Sequence, residues 1–334
     1  MSQQLVRVAC FSAQPYDEAF FTAHKDQRLA FTFIKAHLNE QTVELAAGFD
    51  VVCVFVNDTL NAKVIDRLHS LGCQHIALRC AGYNNVDIVQ AKAVGVSVSR
   101  VPAYSPQAVA EHAIALMLTL NRKLHKAYNR VRESNFDLNG LMGFTLHGKT
   151  VGVVGTGNIG QATTKILLGF GCNVLCFDPY PNNDLVSWGV EYVSMNELLQ
   201  QSDIITLHCP LTPDSHHLIN AQSIALMKQG VMLINTSRGG LINTVDVING
   251  LKSRHIGFLG LDVYEMESEL FFKDHSLEVI QDDVFERLST FHNVLITGHQ
   301  GFFTEEALEQ ITQTTINNIL HCTCDSSIVA SIVA

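Results

Sequence analysis

The stretch Thr150-Val-Gly-Val-Val-Gly155-Thr-Gly157-Asn-Ile-Gly160 decides how this chain is read. An apolar run opens into three closely spaced glycines and then a helical pattern, and an acid, Asp178, stands at the end of the next apolar run. That order suits a dinucleotide pyrophosphate. Gly155 permits the tight turn, Gly157 lets backbone approach phosphate, Gly160 lets helix and strand pack closely, and the helix N-terminus faces the anion. Three glycines alone are a weak signal. The context strengthens it: Val151 to Val154 reads as strand, Ile159 to Phe170 as helix and Asn173 to Phe177 as the second strand. Asn158 and Ile159, at the helix start, join the glycines as expected cofactor-binding positions. Asp178 would accept hydrogen bonds from ribose hydroxyls and repel a 2′-phosphate, and Pro179 and Tyr180 bring no offsetting cation, which favours NAD over NADP. The plainer reading, that Asp178 only begins an Asp-Pro turn, stands beside this one.

The rest of the chain bounds what surrounds this unit. Its 334 residues leave room for two domains, and 47% hydrophobic residues supply substantial cores. A formal charge of −10 with no Lys/Arg-rich run argues against a nucleic-acid surface. The nine cysteines are irregularly spaced without a C-x-x-C pair, and Cys322-Thr-Cys324 has no matching pair for zinc. The N-terminus reads as a first strand rather than a signal peptide, and the greasiest stretch, near Ile114 to Leu120, is too short for a bilayer. A reduced, cytoplasmic location without membrane attachment is the expectation.

Apolar runs alternate with helical segments, which argues for parallel α/β layers. In the first third, strands are expected near Val6–Phe11, Val51–Val56, His75–Cys80 and Val96–Arg100, with helices at Lys63–Leu71 and Val86–Val94 between them and no phosphate-binding glycines. Ser105 and Pro106 start a helix expected to run to about Lys126. Strands follow near Ile204–His208, Val231–Thr236, Gly257–Val263 and Asn293–Thr297, and a second long helix starts at Thr304 with Glu305 and Glu306 in its first turn. Two long helices bracketing one unit suggest that the cofactor domain, 102–299, interrupts a first domain made of 1–101 and 300–334. The final Ser326–Ala334 carries no chemistry that can be read.

Three residues stand at predicted strand ends in the cofactor unit: Arg238 in Asn235-Thr-Ser-Arg-Gly-Gly240, Glu267 in Leu261-Asp-Val-Tyr-Glu-Met-Glu267, and His299 in Gly298-His-Gln-Gly301. In open parallel sheets ligands bind beyond the carboxyl ends of strands, so all three can face one crevice. Each has a plainer reading as a surface or structural residue, and Glu265 rivals Glu267 as the acid. His216-His217 resembles a metal pair, but with no nearby cysteine or carboxylate set a solvated loop is expected, and no metal is assigned. His208-Cys209-Pro210 is expected to line the cofactor crevice.

Together with Val101-Pro-Ala-Tyr-Ser-Pro-Gln-Ala-Val-Ala-Glu-His112, these motifs make the chain resemble the D-isomer-specific 2-hydroxyacid dehydrogenases, most closely the fermentative NAD-dependent D-lactate branch, over about residues 4–320. The resemblance implies two doubly wound parallel-sheet domains, a Rossmann NAD-binding domain inserted into a flavodoxin-like substrate domain. It implies NADH-dependent, reversible reduction of pyruvate to D-lactate, with Arg238, Glu267 and His299 catalytic. His299 would pass the proton, Glu267 would orient it, and Arg238 would grip the carboxylate with two parallel hydrogen bonds. The resemblance also gives Ala81 and Gly82 backbone N–H groups to the carboxylate and places Tyr104 in the substrate pocket. Thr236, Ser237 and Arg238 join the cofactor positions, with Asp262 near the nicotinamide carboxamide. Tyr104 with Phe302 or Phe303 would crowd the pocket around a methyl group. A bulkier 2-keto acid or hydroxypyruvate is the alternative substrate, and an NADH-sensing, corepressor-like binding protein is the alternative of another class. A homodimer or homotetramer is the family habit.

Overall fold

Residues 5–323 and residue 333 are described by the computed structural model. Contacts divide the chain into two units: the residues before Pro106 together with those after Phe302, and Pro106–Phe302. The first division therefore falls at Ser105/Pro106 rather than after residue 101, because the helix that opens at Pro106 packs into the second unit. The second falls at Phe302/Phe303 rather than after residue 299, because Gln300 and Gly301 donate their N–H groups to Asp262 of the second unit.

The first unit carries β1 (Val6–Cys10), β2 (Leu29–Phe33), β3 (Val51–Val54), β4 (His75–Leu78) and β5 (Ser97–Ser99). They form one parallel sheet in the order β2-β1-β3-β4-β5, the flavodoxin-like order. Val8, Cys10, Phe21, Val51 and Cys53 pack against Ile316, Ile319 and Leu320 of the Glu305–Thr323 helix, so the chain's return completes this core. The strand β2 was not expected. Its Leu-Ala-Phe-Thr-Phe lies at the sheet edge with only Leu29 buried, so it lacks the continuous apolar character of β3 and β4. The tail Ser326–Ala334 lies outside the described residues except Val333, whose N–H donates to Val98 O at 2.8 Å; Cys324 is outside them too.

The second unit carries β6 (Thr150–Val154), β7 (Asn173–Phe177), β8 (Glu191–Tyr192), β9 (Ile204–Leu207), β10 (Val231–Asn235), β11 (Ile256–Leu261) and β12 (Val294–Ile296). Their order, β12-β11-β10-β9-β6-β7-β8, is the doubly wound nucleotide-binding order with one strand added. All pairings are parallel and both faces are buried, as such sheets require. Val151, Val153, Ile204, Met232 and Ile234 face Ala113, Met117 and Leu120 of the Pro106–Arg122 helix. Val154, Ile205, Leu207, Leu233 and Leu259 face the other layer, with Leu198, Ile224 and Ile248.

The helix from Pro106 stops at Arg122 rather than running to Lys126. Lys123 takes a left-handed conformation, φ 50°, and a separate helix follows over Leu124–Arg132. Long-range contacts hold this break: the Asn121 amide donates to Phe144 O at 2.6 Å and accepts from Phe144 N at 2.7 Å, while Lys123 Nζ donates to Met142 O. No described helix is long and apolar enough to cross a membrane.

Candidate active site

The glycine turn connects β6 to the helix Asn158–Gly169. Gly155 has φ 93°, a region L side chains rarely adopt, and a Cβ there would lie 2.6 Å from Cys209 N. A Cβ on Gly160 would lie 2.0 Å from Gly155 O, so strand and helix meet only because this position is bare. Around Gly157 the space is open, and this N-cap residue offers no side chain to the helix. Asn158, Ile159 and Gly160 occupy the first turn, where backbone N–H groups have no intrahelical acceptor, which is the donor set an anion needs. Thr236 Oγ1, at the end of β10, is buried without a hydrogen-bond partner among the described residues. An open cradle of donors and an orphaned hydroxyl fit a bound dinucleotide.

Asp178 holds the turn itself. Its Oδ2 accepts from Thr156 N at 2.7 Å and Thr156 Oγ1 at 3.1 Å, and its Oδ1 accepts from Tyr180 N at 2.8 Å. The plainer reading is thus present in the structure, and one lone pair of Oδ1 remains for a ribose hydroxyl. His208 N donates to Val154 O at 2.7 Å, and burial pushes its imidazole down to about 4. Burial pushes the Cys209 thiol up to about 11, which keeps it protonated and unreactive; Cys209 O accepts from Ser237 Oγ at 2.7 Å.

The loops after β9, β10, β11 and β12 are laced together. Asn235 Nδ2 donates to Arg238 O and its Oδ1 accepts from Ser237 N. Asp262 N donates to Asn235 O at 2.9 Å, and His299 N donates to Asp262 O at 2.7 Å. The Asp262 carboxylate, 1% exposed, accepts from Thr297 Oγ1 at 2.5 Å, Gln300 N at 2.9 Å and Gly301 N at 2.7 Å, with His112 Nε2 at 3.2 Å. Burial works to raise the pKa of Asp262, but bonds from His112 and Thr297 outweigh it, and the carboxyl lies below its ordinary value. Its visible work is to fix the loop that carries His299. His112 and Thr297 have no role in the sequence reading; they lie 185 residues apart and meet only in the fold.

His299 has φ 54°, an uncommon backbone for a non-glycine residue and one that recurs at functional sites. Its Nδ1 meets Glu267 Oε1 at 2.9 Å, both side chains being mostly buried, and Nε2 has no hydrogen-bond partner among the described residues. Glu267 Oε2 accepts from Tyr264 N at 3.0 Å, which fixes the carboxylate. Glu265, the rival acid, bonds to His217 at 2.6 Å instead. Arg238 donates from Nη1 to Ser237 O at 2.7 Å and has no ion-pair partner among the described residues. A fixed imidazole with an open nitrogen and a guanidinium held by one backbone carbonyl but by no ion pair make a proton donor and a carboxylate fork available on one rim of the sheet.

The remaining expected residues lie in the first unit. Ala81 and Gly82 follow β4, where Ala81 O accepts from Arg100 Nη1 at 2.9 Å and Gly82 O from Cys80 Sγ at 3.3 Å. Both of those bonds use carbonyls. Tyr104 is half-buried just before Pro106. Phe303, whose ring lies edge-on to Tyr16 at 4.8 Å, belongs to this unit, whereas Phe302, a buried residue, belongs to the other.

Comparison with known proteins identifies the family of the chain. Residues 114–301 match the model of the D-isomer specific 2-hydroxyacid dehydrogenase, NAD binding domain. A 2-hydroxyacid dehydrogenase homolog of Haemophilus influenzae is 53% identical over 94% of this chain and 95% of its own length. The D-lactate dehydrogenase of Escherichia coli is 52% identical over 94% of this chain and 96% of its own length. The apo structure of D-lactate dehydrogenase from Escherichia coli superposes with a TM-score of 0.90 at 47% identity, covering 98% of this chain and all (100%) of that one.

Proposed function

The chain belongs to the D-isomer-specific 2-hydroxyacid dehydrogenase family, and from that premise we propose that it reduces pyruvate to D-lactate with NADH, reversibly. The observation that carries this reading is the His299–Glu267 pair at 2.9 Å with the imidazole's other nitrogen unengaged. Bound NADH supplies the hydride. His299 Nε2 gives a proton to the ketone oxygen in reduction and takes it back in oxidation. Glu267 fixes the ring's orientation through Nδ1, so that Nε2 is the nitrogen left for the substrate. Arg238 holds the substrate carboxylate through two N–H groups, a planar grip a lysine does not provide. Ala81 and Gly82 are assigned to the carboxylate through their N–H groups, Tyr104 to the substrate pocket and Asp262 to the region of the carboxamide. Asp178 selects NADH through its charge.

The test follows NADH absorbance when the purified protein meets pyruvate, with chiral analysis of the product. Rapid oxidation giving D-lactate is expected. Higher kcat/KM on phenylpyruvate or hydroxypyruvate would move the reading to a bulkier or more polar acid. Tight NADH binding with no turnover on any 2-keto acid would favour a sensor.

The same reading makes a second copy of the chain the partner. Leu124, Tyr128, Val131, Phe136, Leu138 and Met142 are all more than half exposed along one segment, and the largest value is 86%. So much apolar surface on neighbouring residues marks an association site. Sedimentation at equilibrium is expected to return a dimer or tetramer; a monomer at micromolar concentration would remove this part. The cysteines Cys10, Cys53, Cys73, Cys80, Cys172, Cys176, Cys209 and Cys322 are unpaired, which supports a reducing, cytoplasmic setting.

A further inference from the structure

The fold brings a carboxylate to the adjacent histidines His216 and His217, which the sequence left as a solvated loop. One nitrogen of each imidazole and one oxygen of Glu265 lie within 4.8 Å of one another. Glu265 is 48 residues from His217 in sequence, yet Oε1 lies 2.6 Å from His217 Nε2. The imidazole rings are stacked with centroids 3.8 Å apart, which keeps the two side chains side by side.

Each member is held from behind. His217 has φ 51°, and its backbone is pinned on both sides: its N–H donates to Gly240 O at 2.8 Å and its carbonyl accepts from Asn220 Nδ2 at 2.9 Å. His216 N donates to Thr212 O at 2.9 Å. Thr244 Oγ1 donates to Glu265 Oε2 at 2.9 Å, leaving Oε1 turned to the histidines. His216 is exposed, so the cluster is open to an ion from solvent.

From this geometry we propose that His216, His217 and Glu265 form a binding site for a divalent transition-metal ion of the zinc type. Two imidazole nitrogens and one carboxylate oxygen are a donor set zinc uses with water in the fourth position. Bonds of about 2.0–2.2 Å in a tetrahedron place ligand atoms roughly 3.4 Å apart, so the side chains need to shift by about an ångström. The ion takes the place of the proton in the His217–Glu265 hydrogen bond, and that proton is released to solvent. Thr244 plays the outer part, orienting the carboxylate. Magnesium and calcium, which take oxygen sets, are excluded by the two nitrogens.

The experiment titrates Zn²⁺ into the full-length protein by calorimetry, alongside His216→Ala and Glu265→Gln, with Mg²⁺ as the control ion. Other histidines and cysteines also bind zinc weakly, so the difference between proteins is what is read. The wild type is expected to take one zinc equivalent that both variants lose or bind at least about tenfold more weakly, as removal of even an outer partner costs about 10–100-fold. Mg²⁺ is expected not to compete. His216 is exposed, so His216→Ala should unfold at the wild-type temperature and serves as the variant free of folding effects. Equal zinc stoichiometry and affinity in wild type and His216→Ala would overturn the site. The readout is binding and does not depend on what the protein turns over.

Discussion

The two units open with the same step, a central parallel strand turning into a helix, and then differ within a few residues. After β1 the turn is made by Ser12, at φ 53°; after β6 it is made by Gly155, at φ 93°. In the first unit side chains fill the turn. Ser12 Oγ donates to Asp58 Oδ1 at 2.6 Å and meets His37 Nδ1 at 2.7 Å, and Ser12 O accepts from Arg79 Nη2 at 2.9 Å. Asp17, in the first turn of the Pro15–Ala23 helix, accepts from Gln14 N at 2.9 Å and from Arg79 Nε at 3.1 Å. This helix end already holds an anion of its own, the Asp17 carboxylate. In the second unit the corresponding helix end has Gly157 as its cap and no side-chain acceptor. The lesson is that the layered plan does not make a phosphate site. The site exists where the chain leaves the donors of a strand–helix turn unfilled.

This contrast predicts opposite phenotypes. In the second unit, His299→Gln keeps the Cβ and so the same backbone demand at φ 54°. On the proposed role it is expected to lower kcat by about 10²–10⁴-fold, the worth of a general acid, with NADH affinity and unfolding temperature unchanged. Steady-state rates, NADH fluorescence titration and a melting curve read all three. Turnover near the wild-type rate would take the proton transfer away from His299.

In the first unit the expected result is the reverse. Arg79 is 2% exposed, lies 5.1 Å over the Phe55 ring, pairs with Asp17 and acts on Asp58 through its charge; among the described residues its Nη1 has no hydrogen-bond partner. Burial pushes the Asp58 carboxyl up, and the Arg79 charge is the largest of the effects opposing that rise, ahead of the bonds from Ser12, Phe55 and Leu38. Arg79→Met leaves both acids buried without their cation, which typically costs about 3–5 kcal/mol. The melting temperature of this unit should fall by on the order of 10 °C. NADH affinity, a property of the other unit, should stay within about twofold. An unchanged melting temperature would mean the buried charges are balanced without Arg79, and the two turns would differ less than they look.

Much of this contrast was legible in the sequence, because its signals are local. The glycine turn, the apolar strands β6, β7 and β9, and Asp178 each declare themselves within about thirty residues, where periodicity and spacing act. What was not legible depends on distant partners. The break at Lys123 follows from Asn121 meeting Phe144. The strand β8 has only two residues, Glu191 and Tyr192, and exists by pairing with β7. The acid beside His216-His217 arrives from the loop after β11, and the grip of Asp262 on the His299 loop joins residues some 35–39 apart. The Arg79 hub draws on residues 62 and 67 positions away and carries no pattern at all.

The smallest expected effect concerns a buried histidine within the first sheet. His75 is 1% exposed at the start of β4, between Ser97 Oγ and Ser99 Oγ, each 2.8 Å from a ring nitrogen. Burial pushes its imidazole down from 6.5 to about 4. The unfolded chain therefore takes up a proton near pH 6.5 while the folded chain does so only near pH 4, so the unfolded state binds more protons in between. Stability falls as pH drops through that window and is fully present above it. At pH 5 the loss from His75 alone is about 2 kcal/mol relative to pH 7. His75→Gln carries no titrating group and gives up part of the two serine contacts, so it should start less stable at pH 7 and lose less between pH 7 and pH 5. Urea unfolding at both values measures the difference. An acid slope as steep as the wild type's would place the proton uptake elsewhere, His208 of the second unit being the first candidate because burial pushes it down to about 4 as well.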